Sequence, residues 1–165
     1  MVERGLDRKL DFALLFYADS YGKVTYRGVS IFTTGRDGAY GGNIVAPQSH
    51  LRNILANMGA GHELETLSSR LETILTTLVN GYHGWLGVDM MIHTGPDGLP
   101  AIHPCIELNL RTTMGVAAMA ISEATRLSEP HLVGWHTVTP IAKPPGELLL
   151  PPRDGFALTL LPHSL

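Results

Sequence analysis

The chain has 165 residues, 44% of them apolar and 16% charged, which suits a packed core and excludes a disordered polymer. A formal net charge of −3 and a pI near 6.2 exclude the broad basic face that nucleic-acid binding needs. The single cysteine, Cys105, excludes an internal disulfide framework and fits a reducing cytosol. "MVERGLDRKLDF" has no signal-peptide core, and no apolar run approaches the roughly 18 residues of a membrane helix. The expectation is a cytoplasmic protein that engages neither nucleic acid nor membrane.

In chain order, "LDFALLFYADSYGKVTYRGVSIFTT" predicts two strands around a turn at Asp19 to Lys23, because aromatic and β-branched residues dominate both runs. The glycine-rich "GRDGAYGGN" predicts a loop leading into a short extended piece, Asn43 to Ala46. From Ser49, read as an N-cap, Leu51, Ile54 and Leu55 fall at helical spacing and the helix stops near Met58-Gly59. Leu64, Leu67, Leu71, Ile74, Leu75 and Leu78 then form one apolar stripe of a longer helix, from about His62 to Val79. It is read as core packing.

"WLGVDMMIH", the turn "TGPDGLP" and "AIHPCIELNLR" predict a hairpin centred near Asp97 or Gly98. "MGVAAMAISEATRL" predicts a small-residue helix ending before Pro130. The tail predicts two short strands around an ordered proline-rich connection, Pro144 to Pro152. The order of strands, helices, hairpin, helix and strands predicts an α+β fold with a mostly antiparallel sheet, in one domain over 1–165.

Within the hairpin, side chains alternate across the strand. Glu107, Asn109 and Arg111 therefore share one face, and Ile106, Leu108 and Leu110 the other. Asp89 shares its strand face with Met91 and His93, and lies opposite Cys105 or Glu107 depending on register. Two carboxylates held that close repel unless a cation or proton intervenes. An all-oxygen set of Asp, Glu and Asn suits Mg²⁺ or Mn²⁺. Arg111 can clamp a phosphate or carboxylate with both arms of its guanidinium. Against this stands the plain reading of alternating polar residues as a solvated strand face. His93 and His103 are placed facing each other near the turn and Cys105 on the carboxylate face by parity, without zinc-site spacing.

"GVDMMI" followed by "IELNLRTTMG" resembles the C-terminal lobe of the ATP-grasp superfamily, which includes biotin carboxylase, the carbamoyl phosphate synthetase large chain and D-alanine–D-alanine ligase. The resemblance implies that Asp89, Glu107 and Asn109 hold the magnesium ions bridging the ATP phosphates. It places Arg111 on the acceptor substrate or acyl phosphate. "VERGLDRKLDF" resembles the family's hinge, which implies that Glu3 and Leu6 meet the adenine and Asp11 the ribose hydroxyls. Arg36, in "TTGRDGAYGGN", falls where the family places a mobile segment near the phosphates.

The implied function is the nucleotide- and magnesium-binding lobe of an ATP-dependent ligase. Such an enzyme activates a carboxylate as an acyl phosphate for attack by an amine or similar nucleophile. The alternative is a non-catalytic ATP-grasp-like binding or assembly module. Either way the resemblance implies a partner lobe carrying phosphate-binding lysines, absent from these residues, so the chain reads as part of a larger protein, inactive alone. An apolar sheet surface left open by that absence implies self-association. The tail after Leu127 matches no branch of the family.

Overall fold

The structure is a computed structural model that describes residues 5–35, 38–126, 129–137, 146–150, 152–153 and 156–162. The strands are β1 (Arg8–Ala18), β2 (Val24–Thr34), β3 (Tyr40–Val45), β4 (Gly84–Thr94), β5 (Pro100–Asn109), β6 (His131–Thr137), β7 (Glu147–Leu148) and β8 (Phe156–Pro162). The helices are α1 (Gln48–Asn57), α2 (Gly61–Leu78) and α3 (Met114–Thr125). Among the described residues all eight strands form one sheet in the order β5-β4-β1-β2-β3-β6-β8-β7, with every pairing antiparallel. This is the expected α+β architecture. No described helix is long and apolar enough to cross a membrane.

Alternation along β1 gives the sheet two different faces. Phe12, Leu14 and Phe16 point to one side, with Val29 and Ile31 of β2 and Val88, Met90 and Ile92 of β4. They pack against Leu51 and Leu55 of α1 and Leu64 and Leu75 of α2, all almost fully buried. Each such large side chain contributes roughly 1.5–3 kcal/mol when removed from water. Ala13 and Leu15 point to the other side, where among the described residues the helical cover comes from α3, through Val116 and Met119. One face is sealed; the other is half covered.

Gln48 explains where α1 begins. Its side-chain amide accepts from the Val29 N–H at 2.8 Å and donates to the Val29 carbonyl at 2.9 Å. A side chain thus imitates a neighbouring strand beside β2 and draws Gln48 into the helix. The N-cap is therefore Pro47 rather than Ser49, and the Pro47 carbonyl takes the first helical bonds from His50 and Leu51.

Other expectations need correction. Ile74 and Leu78 leave the core and are 54% and 65% exposed. Ile74 precedes Leu75, so it lies a third of a turn round the helix from the buried stripe, and Leu78 closes the last turn. The third strand begins earlier than expected, at Tyr40. The proline-rich connection contains β7, which pairs with β8 through Glu147↔Leu160 and Leu148↔Thr159; Pro144 lies outside the described residues.

Gln48→Ala would strip both backbone groups of the buried Val29 of their partner. A loss of about 2 kcal/mol in urea unfolding is expected, since each buried unsatisfied group costs roughly 1–3 kcal/mol.

Candidate functional site

The hairpin turn closes where expected. Thr94 pairs with Pro100, and Gly98 takes φ +80° inside the turn, where a glycine is at ease. An unbroken ladder around Asp97 would set Asp89 opposite Cys105. Instead Met91 pairs with His103 and Asp89 with Glu107, so β5 contains two extra residues within 104–106. Pro104 has no N–H to give to a ladder, and β5 is an edge strand, which is where such a bulge is tolerated. The bulge brings the second carboxylate level with the first.

It also breaks the parity used above. Cys105 is exposed and does not line the cleft described below. Ile106, expected on the apolar face, is 53% exposed and lines that cleft. His93 pairs with Ala101 and His103 with Met91, so the two histidines do not face each other.

The uncovered part of the second sheet face is a cleft of about 480 Å³. Asp11, Asp89, Glu107, Asn109 and Arg111 all line it, beside the first turn of α3. Five candidates scattered over a hundred residues of sequence are thus gathered into one hollow. Leu6 does not line it; Glu3 and Arg36 lie outside the described residues.

The wall formed by β1, β4 and β5 is acidic. The Asn109 Nδ2 donates to Asp89 Oδ2 at 3.0 Å, and Asn109 is buried. Burial and the facing Glu107 carboxylate raise the Asp89 carboxyl to about 6; Asp11 raises it further, while Asn109 and Arg111 oppose the rise. Asp11, also buried, is paired with Arg8 at 3.1 Å and accepts from the Thr34 hydroxyl. Arg111 is exposed at the cleft edge and forms no ion pair among the described residues.

These residues fit a hard divalent cation. The donors are two opposed carboxylates, one of them raised by burial and then by its neighbour, and an amide whose Oδ1 has no hydrogen-bond donor among the described residues. No group of three His, Cys, Asp or Glu gathers among the described residues. Magnesium is usually held by one or two carboxylates and keeps other positions for water and phosphate oxygens.

The opposite wall, from β2, β3 and α3, was not anticipated. Ser30, Asn43 and Tyr40 line it, with the first turn of α3 meeting Ser30 at Gly115; the Thr113 side chain also lines the cleft but lies against Gly87 of β4. Ser30 and Thr34 alternate as polar residues on a strand otherwise rich in apolar ones, which is a sequence signal; Asn43 and Thr113 have none. Along one cross-sheet row lie Glu107, Asp89, Ala13 and Ser30. The methyl of Ala13 leaves the floor open between the two walls.

The sequence matches no protein-family model and no curated protein. Among solved structures it is similar to N5-carboxyaminoimidazole synthetase from Staphylococcus aureus, an ATP-grasp enzyme, both in a complex with ADP and in a second crystal structure. Each shows 12% identity and a TM-score of 0.48. The likeness covers 96% of this chain and 47% of the other, so this chain spans about half the length of that enzyme.

Two predictions follow from the geometry. A Cβ on Gly115 would lie 2.5 Å from Ser30 Oγ and 2.7 Å from its Cβ, inside a buried contact. Helix propensity favours alanine over glycine by about 1 kcal/mol, but overpacking costs about 1–3 kcal/mol. Gly115→Ala should therefore lower the thermal midpoint.

The second concerns pH. The Asp89 carboxyl holds its proton more tightly folded than unfolded, so protonation stabilises the fold. That stabilisation is complete below about 3.8 and disappears as pH rises through about 6. In cation-free protein, Asp89→Asn should flatten the fall in stability between pH 4 and 7 and raise stability at pH 7, as read by urea unfolding at each pH.

Proposed function

We propose that this chain is the cation- and nucleotide-binding lobe of an ATP-dependent ligase that activates a carboxylate as an acyl phosphate for attack by an amine or similar nucleophile. The observation that carries the reading is the direct opposition of Asp89 and Glu107, with Asn109 bonded to Asp89, at the floor of an open cleft. The motif at Asp89, Glu107 and Asn109 supports it from the sequence side.

In this reading Asp89, Glu107 and Asn109 hold Mg²⁺ or Mn²⁺ on oxygen ligands alone. The bound cation supplies neutralisation of phosphate charge. Arg111 stands at the cleft edge, where its guanidinium meets the anionic acyl phosphate. Asp11 uses Oδ2 for Arg8 and Thr34 and offers its other oxygen to sugar hydroxyls. Leu6, which is outside the cleft lining, and Glu3 serve the adenine. Positioning and charge neutralisation, rather than covalent catalysis, are the protein's share of such chemistry. The remaining half of the nucleotide clamp comes from a partner lobe.

Mn²⁺ titration of the full chain, followed by loss of the free-ion electron paramagnetic resonance signal, tests the reading. Asp89→Asn and Glu107→Gln should each weaken binding at least tenfold at pH 7, and wild-type binding should weaken below pH 6 as protons compete. Variants that bind Mn²⁺ like the wild type would sink the assignment.

A further inference from the structure

The wall facing the carboxylates contains a hydrogen-bond relay whose direction can be deduced. The Asn43 side chain meets three groups: Tyr40 Oη at 2.5 Å, the Ile31 carbonyl at 3.4 Å, and Ser30 Oγ. Hydroxyls can donate or accept, so Tyr40 and Ser30 alone would allow either orientation of the amide. The Ile31 carbonyl only accepts. The amide atom beside it must be Nδ2, which leaves Oδ1 for Tyr40 and makes the tyrosine the donor. The second Nδ2 proton then goes to Ser30 Oγ, which must accept.

Ser30 therefore keeps its own hydroxyl proton, and no acceptor stands within hydrogen-bond reach of it among the described residues. The residue is 3% exposed, lines the cleft and has its Oγ against the first turn of α3 at Gly115. Thr113 repeats the pattern independently: its Oγ1 is buried, unpartnered, and belongs to a cleft-lining residue. A buried donor without an acceptor is costly, so each of these cleft-lining hydroxyls calls for an acceptor from outside; Ser30 lies on β2, and Thr113 over Gly87 of β4. The N-terminal end of α3, which meets Ser30 at Gly115, makes the Ser30 end of the cleft favourable to negative charge. Two strand spacings, about 10 Å, separate Ser30 from Asp89 along their shared row.

We propose that Ser30, assisted by Thr113, is a specificity-determining residue for the second substrate and donates its hydroxyl proton to a carboxylate oxygen of that molecule. This rests on the ligase reading of the cleft. It adds which wall seats the acid: the hydroxyl wall of β2 and α3, while the cation and its phosphates occupy the carboxylate wall. Tyr40 and Asn43 are positioning residues that keep the Ser30 proton aimed at the ligand.

Nitrogen–proton correlation spectra of the full chain test this, with separate titrations of acetate, acetamide, inorganic phosphate and Mg²⁺. Acetate should shift the Ser30 and Gly115 amides in a saturable way and bind at least threefold more tightly than acetamide or phosphate. Ser30→Ala should weaken acetate at least fivefold while changing Mg²⁺ affinity, read at Asp89 and Glu107, by less than twofold. If Ser30→Ala does not fold, Ser30→Cys, a weaker donor of similar size, should still weaken acetate several-fold. No saturable shift, unchanged acetate affinity in the serine variant, or stronger binding of phosphate or acetamide would each overturn the proposal. The Mg²⁺ titration reports separately on the carboxylate wall, so failure at Ser30 with success at Asp89 would leave the ligase reading standing.

Discussion

Two carboxylates forced level with each other across one rung of an antiparallel ladder are the constraint on which this site depends. Asp89 and Glu107 would not meet in a regular hairpin closed at Asp97. A proline-containing bulge on an edge strand slides β5 by two residues and makes them meet. The result is electrostatically unfavourable: burial first, and the facing Glu107 carboxylate second, raise the Asp89 carboxyl. Strain of this kind is stable only when the surrounding sheet over-determines it. Here β4 lies between β1 and β5, and the apolar face of the same strand is locked into the main core.

The two-faced sheet explains how a cleft can exist without weakening the fold. Nearly all the large apolar side chains go to the face covered by α1 and α2, which supplies the stability. The other face is free to hold polar groups, and α3 covers only part of it. Close approach of α3 depends on Gly115, where a side chain would strike Ser30. The same contact brings the start of the helix and the Thr113 hydroxyl to the cleft. A glycine in a helix, ordinarily a small loss, is here the condition for the site's shape.

Polarity is divided across the cleft floor. Carboxylates gather on β1, β4 and β5, and uncharged hydroxyl and amide groups on β2 and β3, with Ala13 between them. In the reading proposed above, a cleft divided in this way is what would orient a ligand that carries a cation at one end and oxygen acceptors at the other. Orientation of that kind is what an acyl-phosphate chemistry needs from its protein, because the bond changes themselves require little from side chains.

Much of this was legible in the residue pattern. Runs of aromatic and β-branched residues marked β1 and β2, and strand and turn signals the hairpin; the helical period marked α2; the spacing Glu107-x-Asn109-x-Arg111 put three polar groups on one strand face. These signals are local, and strand and helix geometry turn them directly into direction. The partners across strands were not legible. Register depends on a bulge that no period records, so Cys105 and Ile106 were assigned to the wrong faces and Glu107 remained one of two choices for Asp89. The start of α1 depended on Gln48 reaching a strand nineteen residues earlier in the chain. Ser30, Asn43, Tyr40 and Thr113 carry no motif and become a wall only when β2, β3 and α3 converge. The sequence by itself determined which segments extend or coil and which faces are polar, because those follow from near-neighbour sterics. Only the tertiary structure decided which polar groups face each other, because that is set by register and by the seating of one helix on half a sheet.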